Sequence, residues 1–116
     1  MDGEIHVEEL QSLLEADNDV EIVDIRSPQA FARGHIPGSR NLPFQQLIDR
    51  VDELDAEADR IVTVCPHGES SVQAARLVKS YEGIEDTPVE SLAEGLNGWD
   101  GPIETLDQPA DPDTPF

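Results

Sequence analysis

Two kinds of apolar pattern alternate along the chain. Short runs dense in β-branched residues, "VEIVDI" (20–25) and "RIVTV" (60–64), predict strands; the second has so little polar alternation that it suits a sheet buried on both faces. Between them, apolar residues recur every three or four positions. Val7, Leu10, Leu13 and Leu14 share a helical face in "VEELQSLLEA", which follows a short opening strand at Glu4–His6. His6 stands at the start of that helix, where a stronger capping side chain is expected. Ser27 and Pro28 supply a cap and first position for a short helix through Phe31. "GHIPGSRNLP" (34–43) is turn-rich and leaves room for a very short strand at most. Phe44, Leu47, Ile48, Val51 and Leu54 then predict an amphipathic helix, and Ala74, Leu77, Val78 and Tyr81 the packed face of a later one. "TPVESL" (87–92) predicts a last strand and "AEGLNGW" a turn with a short helix.

Strands alternating with helices predict an α/β domain with a mainly parallel sheet. At 116 residues without internal repeats, the chain fits one core. Residues 1–100 are expected to form the domain, and 101–116, rich in proline and acids, an unpacked tail.

Charge narrows the partners. Seven basic residues, of which Lys79 is the only lysine, against 26 acidic ones give a formal charge of -19. That field repels phosphate backbones and anionic membrane surfaces, so neither nucleic acid nor membrane is expected as a direct partner. It also repels itself. At about 1 M salt the screening length falls to roughly 3 Å, so the composition suits a halophile's cytoplasm. No stretch approaches the roughly 20 apolar residues of a membrane span. With no charged-then-apolar leader and one cysteine, which excludes an internal disulfide, the chain is expected to be soluble and cytoplasmic.

That cysteine, Cys65, ends the clearest strand in "VTVCPHGESSVQAARL" (62–77). In a parallel sheet, ligands collect where strands end and helices begin. Gly68 lets the short segment after Cys65 curl until several N–H groups face the sulfur, forming with the next helix's amino end an anion nest that favours thiolate over thiol. The competing reading is a buried hydrophobe that closes a strand, since cysteine is among the most buried residue types.

"CPHGES" resembles the six-residue active-site loop of the rhodanese-like family, Cys-x-x-Gly-x-Arg or a hydroxyl residue in the last place. Two other segments agree. "VDIRSPQAFARGHIPGSRNLP" is similar to the family's Asp-x-Arg, short helix and Gly-His-Ile-Pro-Gly-x-x-Asn. "VESLAEGLNGW" is similar to its closing strand and Leu-x-Gly-Gly-x-x-x-Trp turn, with Glu94 in place of the first glycine. The resemblance covers residues 4 to 100, a single module. It implies a five-stranded, mainly parallel sheet flanked by helices on both faces, and a sulfurtransferase that carries sulfane sulfur as a Cys65 persulfide. The implied donor is thiosulfate or a persulfide-bearing protein, and the implied acceptor cyanide or a thiol. No cofactor is implied.

Carried over by position, Cys65 is the nucleophile and Gly68 the residue that permits the tight loop. The amides from His67 to Ser70 form the cradle, to which Pro66 has no N–H to give. The substrate-binding candidates are Pro66, His67, Gly68, Glu69, Ser70, Ser71 and Arg26. Ser70 replaces the frequent arginine, so the loop offers a thiosulfate dianion only His67, with Glu69 beside it; Arg33, Arg40 and Arg76 are further cations that could approach. His67 reads either as an exposed loop residue or as a cation that steadies an anion.

Asp24 and Arg26 read first as a charge pair fixing loops, His35 as a hydrogen bonder of its turn, and Trp99 as a cap on the core. A metal site is not expected, because His6 and His35 come from remote segments and there is no second cysteine. Two other functions compete. A cysteine phosphatase or arsenate reductase shares the strand-end loop, but such phosphatases need an arginine six residues after the cysteine, where Ser71 stands. A sulfur relay or docking module without turnover is the other.

Overall fold

The computed structural model describes residues 3–16, 19–54, 58–66, 70–81, 84 and 87–105. Five parallel strands, β1 (Glu4–Ile5), β2 (Val20–Asp24), β3 (Arg40–Asn41), β4 (Arg60–Val64) and β5 (Val89–Leu92), form one sheet in the order β1-β5-β4-β2-β3. The helices are α1 (Val7–Glu15), α2 (Pro28–Arg33), α3 (Leu47–Arg50) and α4 (Ser70–Lys79). The expected single α/β module with a five-stranded parallel sheet is the fold observed.

Both faces of the sheet are buried, which explains the unbroken apolar character of β4. On one face Ile61 and Cys65 pack with Val23, Leu47, Val51, Ala74, Ala75 and Val78. On the other, Val62 and Val64 pack with Leu10, Ile22, Ile36, Leu92 and Trp99, so Trp99 does close a core. Ser27 Oγ accepts the Ala30 N–H at 3.2 Å, and α2 runs two residues beyond Phe31. Gly38, with φ +83°, makes the turn before β3 in a region that L side chains avoid.

Three expectations are corrected. Phe44–Leu54 is not one helix: 3₁₀ turns at Phe44–Gln46 and Val51–Glu53 flank the single turn of α3. Leu47, Val51 and Leu54 are buried while Ile48, about 100° round α3 from Leu47, is turned out, 68% exposed. Tyr81 lies beyond the end of α4 and is 39% exposed, and Ala75 fills the core instead.

The segment from Gly101 is not unpacked at its start. Trp99 Nε1 donates to the Pro102 carbonyl at 2.9 Å, and His35 and Glu104 exchange backbone hydrogen bonds of 2.9 and 2.8 Å. Residues 106–116 lie outside those described.

Candidate active site

Cys65 directly follows β4, the middle strand, at the sheet's carboxyl edge. Its side chain is 2% exposed. Burial by itself favours the neutral thiol, so an anionic sulfur here depends on donors aimed at it. The Ser71 N–H supplies one, 3.3 Å from Sγ, within the first turn of α4, where unsatisfied amides give the helix its positive end. The carbonyls on either side are pinned elsewhere: Leu96 N–H donates to the Cys65 carbonyl at 2.7 Å and Asn97 N–H to the Pro66 carbonyl at 3.0 Å.

Ser71 is held from three directions. Its amide faces the sulfur, its carbonyl accepts the Thr63 hydroxyl at 2.7 Å, and its own hydroxyl lies 2.6 Å from that of Ser91. Of the other candidates, Pro66 is exposed and Ser70 is the exposed first residue of α4. His67, Gly68 and Glu69 lie outside the described residues.

Arg26 is engaged with its neighbours. Its guanidinium grips Asp24 through bonds of 2.8 to 3.1 Å and donates to the Gly34 carbonyl at 2.6 Å, while Asn41 Nδ2 bonds the carbonyls of Asp24 and Arg26. Arg40 pairs with Glu21 at 3.0 Å; Arg33 and Arg76 form no ion pair among the described residues. His35 Nδ1 lies 2.7 Å from the Phe31 carbonyl and its ring stacks on Phe31, the turn-stabilising part expected of it.

Sequence reading ended the amide cradle at Ser70 and missed the two hydroxyls behind Ser71. The available signal was the hydroxyl residue in each of "RIVTV" and "VESL", polar side chains in strands that are otherwise buried.

With this geometry in place, the sequence pattern of the family described as "Rhodanese-like domain" matches residues 6–101. The chain belongs to that family. The rhodanese-like chain is 40% identical over 83 residues to "Thiosulfate sulfurtransferase GlpE" of Pseudomonas paraeruginosa, covering 72% of each. It is 31% identical over 101 residues to "Putative sulfur carrier protein YrkF" of Bacillus subtilis, covering 87% of this chain and 52% of that one. Among solved structures, the rhodanese-like domain of the Anabaena protein Alr3790 superposes with a TM-score of 0.77 at 28% identity, covering 100% of this chain and 86% of that one. The human single-domain sulfurtransferase TSTD1 superposes at 0.72 with 26% identity, covering 83% and 93%.

Glu94 of this rhodanese-like domain stands where the resemblance implies the first glycine of a pair, and the side chain has a task. Its carboxylate accepts the Val7 N–H at 3.1 Å and meets His6 Nδ1 at 2.9 Å, capping α1 from across the fold. The next residue, Gly95, holds φ +70° and so keeps the one glycine that the turn requires.

Proposed function

We propose that the protein is a sulfurtransferase that carries sulfane sulfur on Cys65. The observation that carries this reading is the lone thiol at the carboxyl end of the middle strand, with a helix-terminal amide donating to its sulfur. The Cys65 thiolate attacks the outer sulfur of the donor, forming an S–S bond. The donor's own bond to that sulfur breaks, and its electron pair leaves with sulfite or a thiolate. Cys65 is left as a persulfide. An acceptor thiolate or cyanide then attacks the terminal sulfur, and the Cys65 thiolate is the leaving group. The Ser71 N–H is placed to hold whichever sulfur bears the negative charge.

A persulfide donor suits the site better than thiosulfate. Arg26 and Arg40 are already paired with carboxylates, so neither guanidinium is free to receive a small dianion. The relay reading draws support from the relative described as a putative sulfur carrier. The phosphatase reading draws none, since Ser71 is fully buried with its hydroxyl committed to Ser91. The working environment we propose is a reducing, salt-rich cytoplasm, where a lone thiol persists and the acidic surface is screened.

Intact-mass measurement in molar KCl tests this. After incubation with thiosulfate, or with a cysteine desulfurase and cysteine, the protein is expected to gain one sulfur that Cys65→Ser does not. No gain from either donor would sink the reading. Rapid thiocyanate formation with cyanide favours the enzyme over the relay.

A further inference from the structure

We propose that Ser91 is a positioning residue for the Cys65 sulfur, acting through Ser71; the inference rests on the sulfur-transfer reading above. Thr63 and Ser91 are register partners on neighbouring strands β4 and β5. Both reach Ser71: Thr63 bonds its carbonyl at 2.7 Å, and the Ser91 hydroxyl lies 2.6 Å from the Ser71 hydroxyl. All three residues are fully buried, beside a core of Ala74, Ala75, Val78 and Val89. Stability alone does not call for hydroxyls there, because replacing both members of a buried hydrogen-bonded pair with apolar groups of similar shape is often close to neutral.

What the pair does is fix the first turn of α4. The Ser71 N–H points at Sγ, and a hydrogen bond to an anionic sulfur weakens as the donor turns away. The strand below therefore sets the aim of the amide above. Ser91 acts through Ser71, the residue whose amide donates to the sulfur.

Titration of the Cys65 thiolate by its ultraviolet absorbance, referenced to Cys65→Ser, tests the proposal in the full chain. Ser91→Ala is expected to raise the midpoint by about one pH unit, which leaves about tenfold less thiolate at any pH below it. Ser91→Thr, which keeps the hydroxyl, is expected to return toward wild type. Ser71→Ala should move the midpoint in the same direction, and the double variant no further than Ser91→Ala, since both break one bond. Ser80→Ala, which removes a hydroxyl at the far end of α4, should leave it in place.

A wild-type midpoint in Ser91→Ala, even with a lowered melting temperature, overturns the proposal, as does an equal shift in Ser91→Thr. If Ser91→Ala does not fold, Ser71→Ala reads the same bond with β5 intact, and an unmoved midpoint there overturns it equally. The titration uses no sulfur donor. An unmoved midpoint therefore rejects the positioning role with sulfur transfer intact, and a Cys65 that accepts no sulfur rejects the transfer reading instead.

Discussion

Glu94 and His6 form a pair whose titrations move apart. Its hydrogen bond to His6 holds the carboxyl below its ordinary value of 4.5, and the same bond raises His6 above 6.5. The carboxylate's contribution is complete above 4.5 and is lost as pH falls through its lowered native value; the imidazolium's is complete below 6.5 and is lost as pH rises through its raised native value. The pair is therefore fullest between 4.5 and 6.5. Glu94→Gln should lower the urea midpoint most within that window and least well above it. Molar KCl should shrink the difference, because both side chains are solvent-exposed. A pH-independent difference would show that Glu94 acts as an α1 cap alone. At the turn that carries Cys65, Ser70→Arg is expected to lower the apparent KM for thiosulfate roughly several-fold, since Ser70 is exposed and an arginine there would add a cation at the start of α4. An unchanged or raised KM would place the anion elsewhere.

Elements are where periodicity misled. Ile48 shares its spacing with Phe44, Leu47, Val51 and Leu54, yet it stands about 100° round α3 from the buried Leu47 and is exposed. Leu47→Ala should cost about 2 to 5 kcal/mol, because Leu47 is fully buried against α4. Ile48→Ala should stay within about 0.5 kcal/mol of wild type. Equal losses in chemical denaturation would show Ile48 packed as deeply as Leu47. The strands were legible because a sheet covered on both sides admits little but β-branched residues, and the α2 cap because Ser-Pro is a local signal. The stretch after Gly101 was not, since its packing depends on Trp99 and His35, which lie near it only once the chain has folded.

For the whole molecule, the -19 charge dominates behaviour in solution. Melting temperature is expected to climb steeply as KCl rises toward molar, and an unchanged or falling melt would remove the case for a salt-rich environment. The sequence by itself determined the parallel α/β module, the thiol at a strand end and the absence of an arginine at Ser71, because each is written in adjacent residues. Only the tertiary structure decided that Arg26 also binds the Gly34 carbonyl, that Glu94 caps α1, and that Thr63 and Ser91 hold the amide facing the sulfur. Those contacts join residues far apart in sequence or depend on where a side chain points, and orientation is set by packing rather than by local pattern.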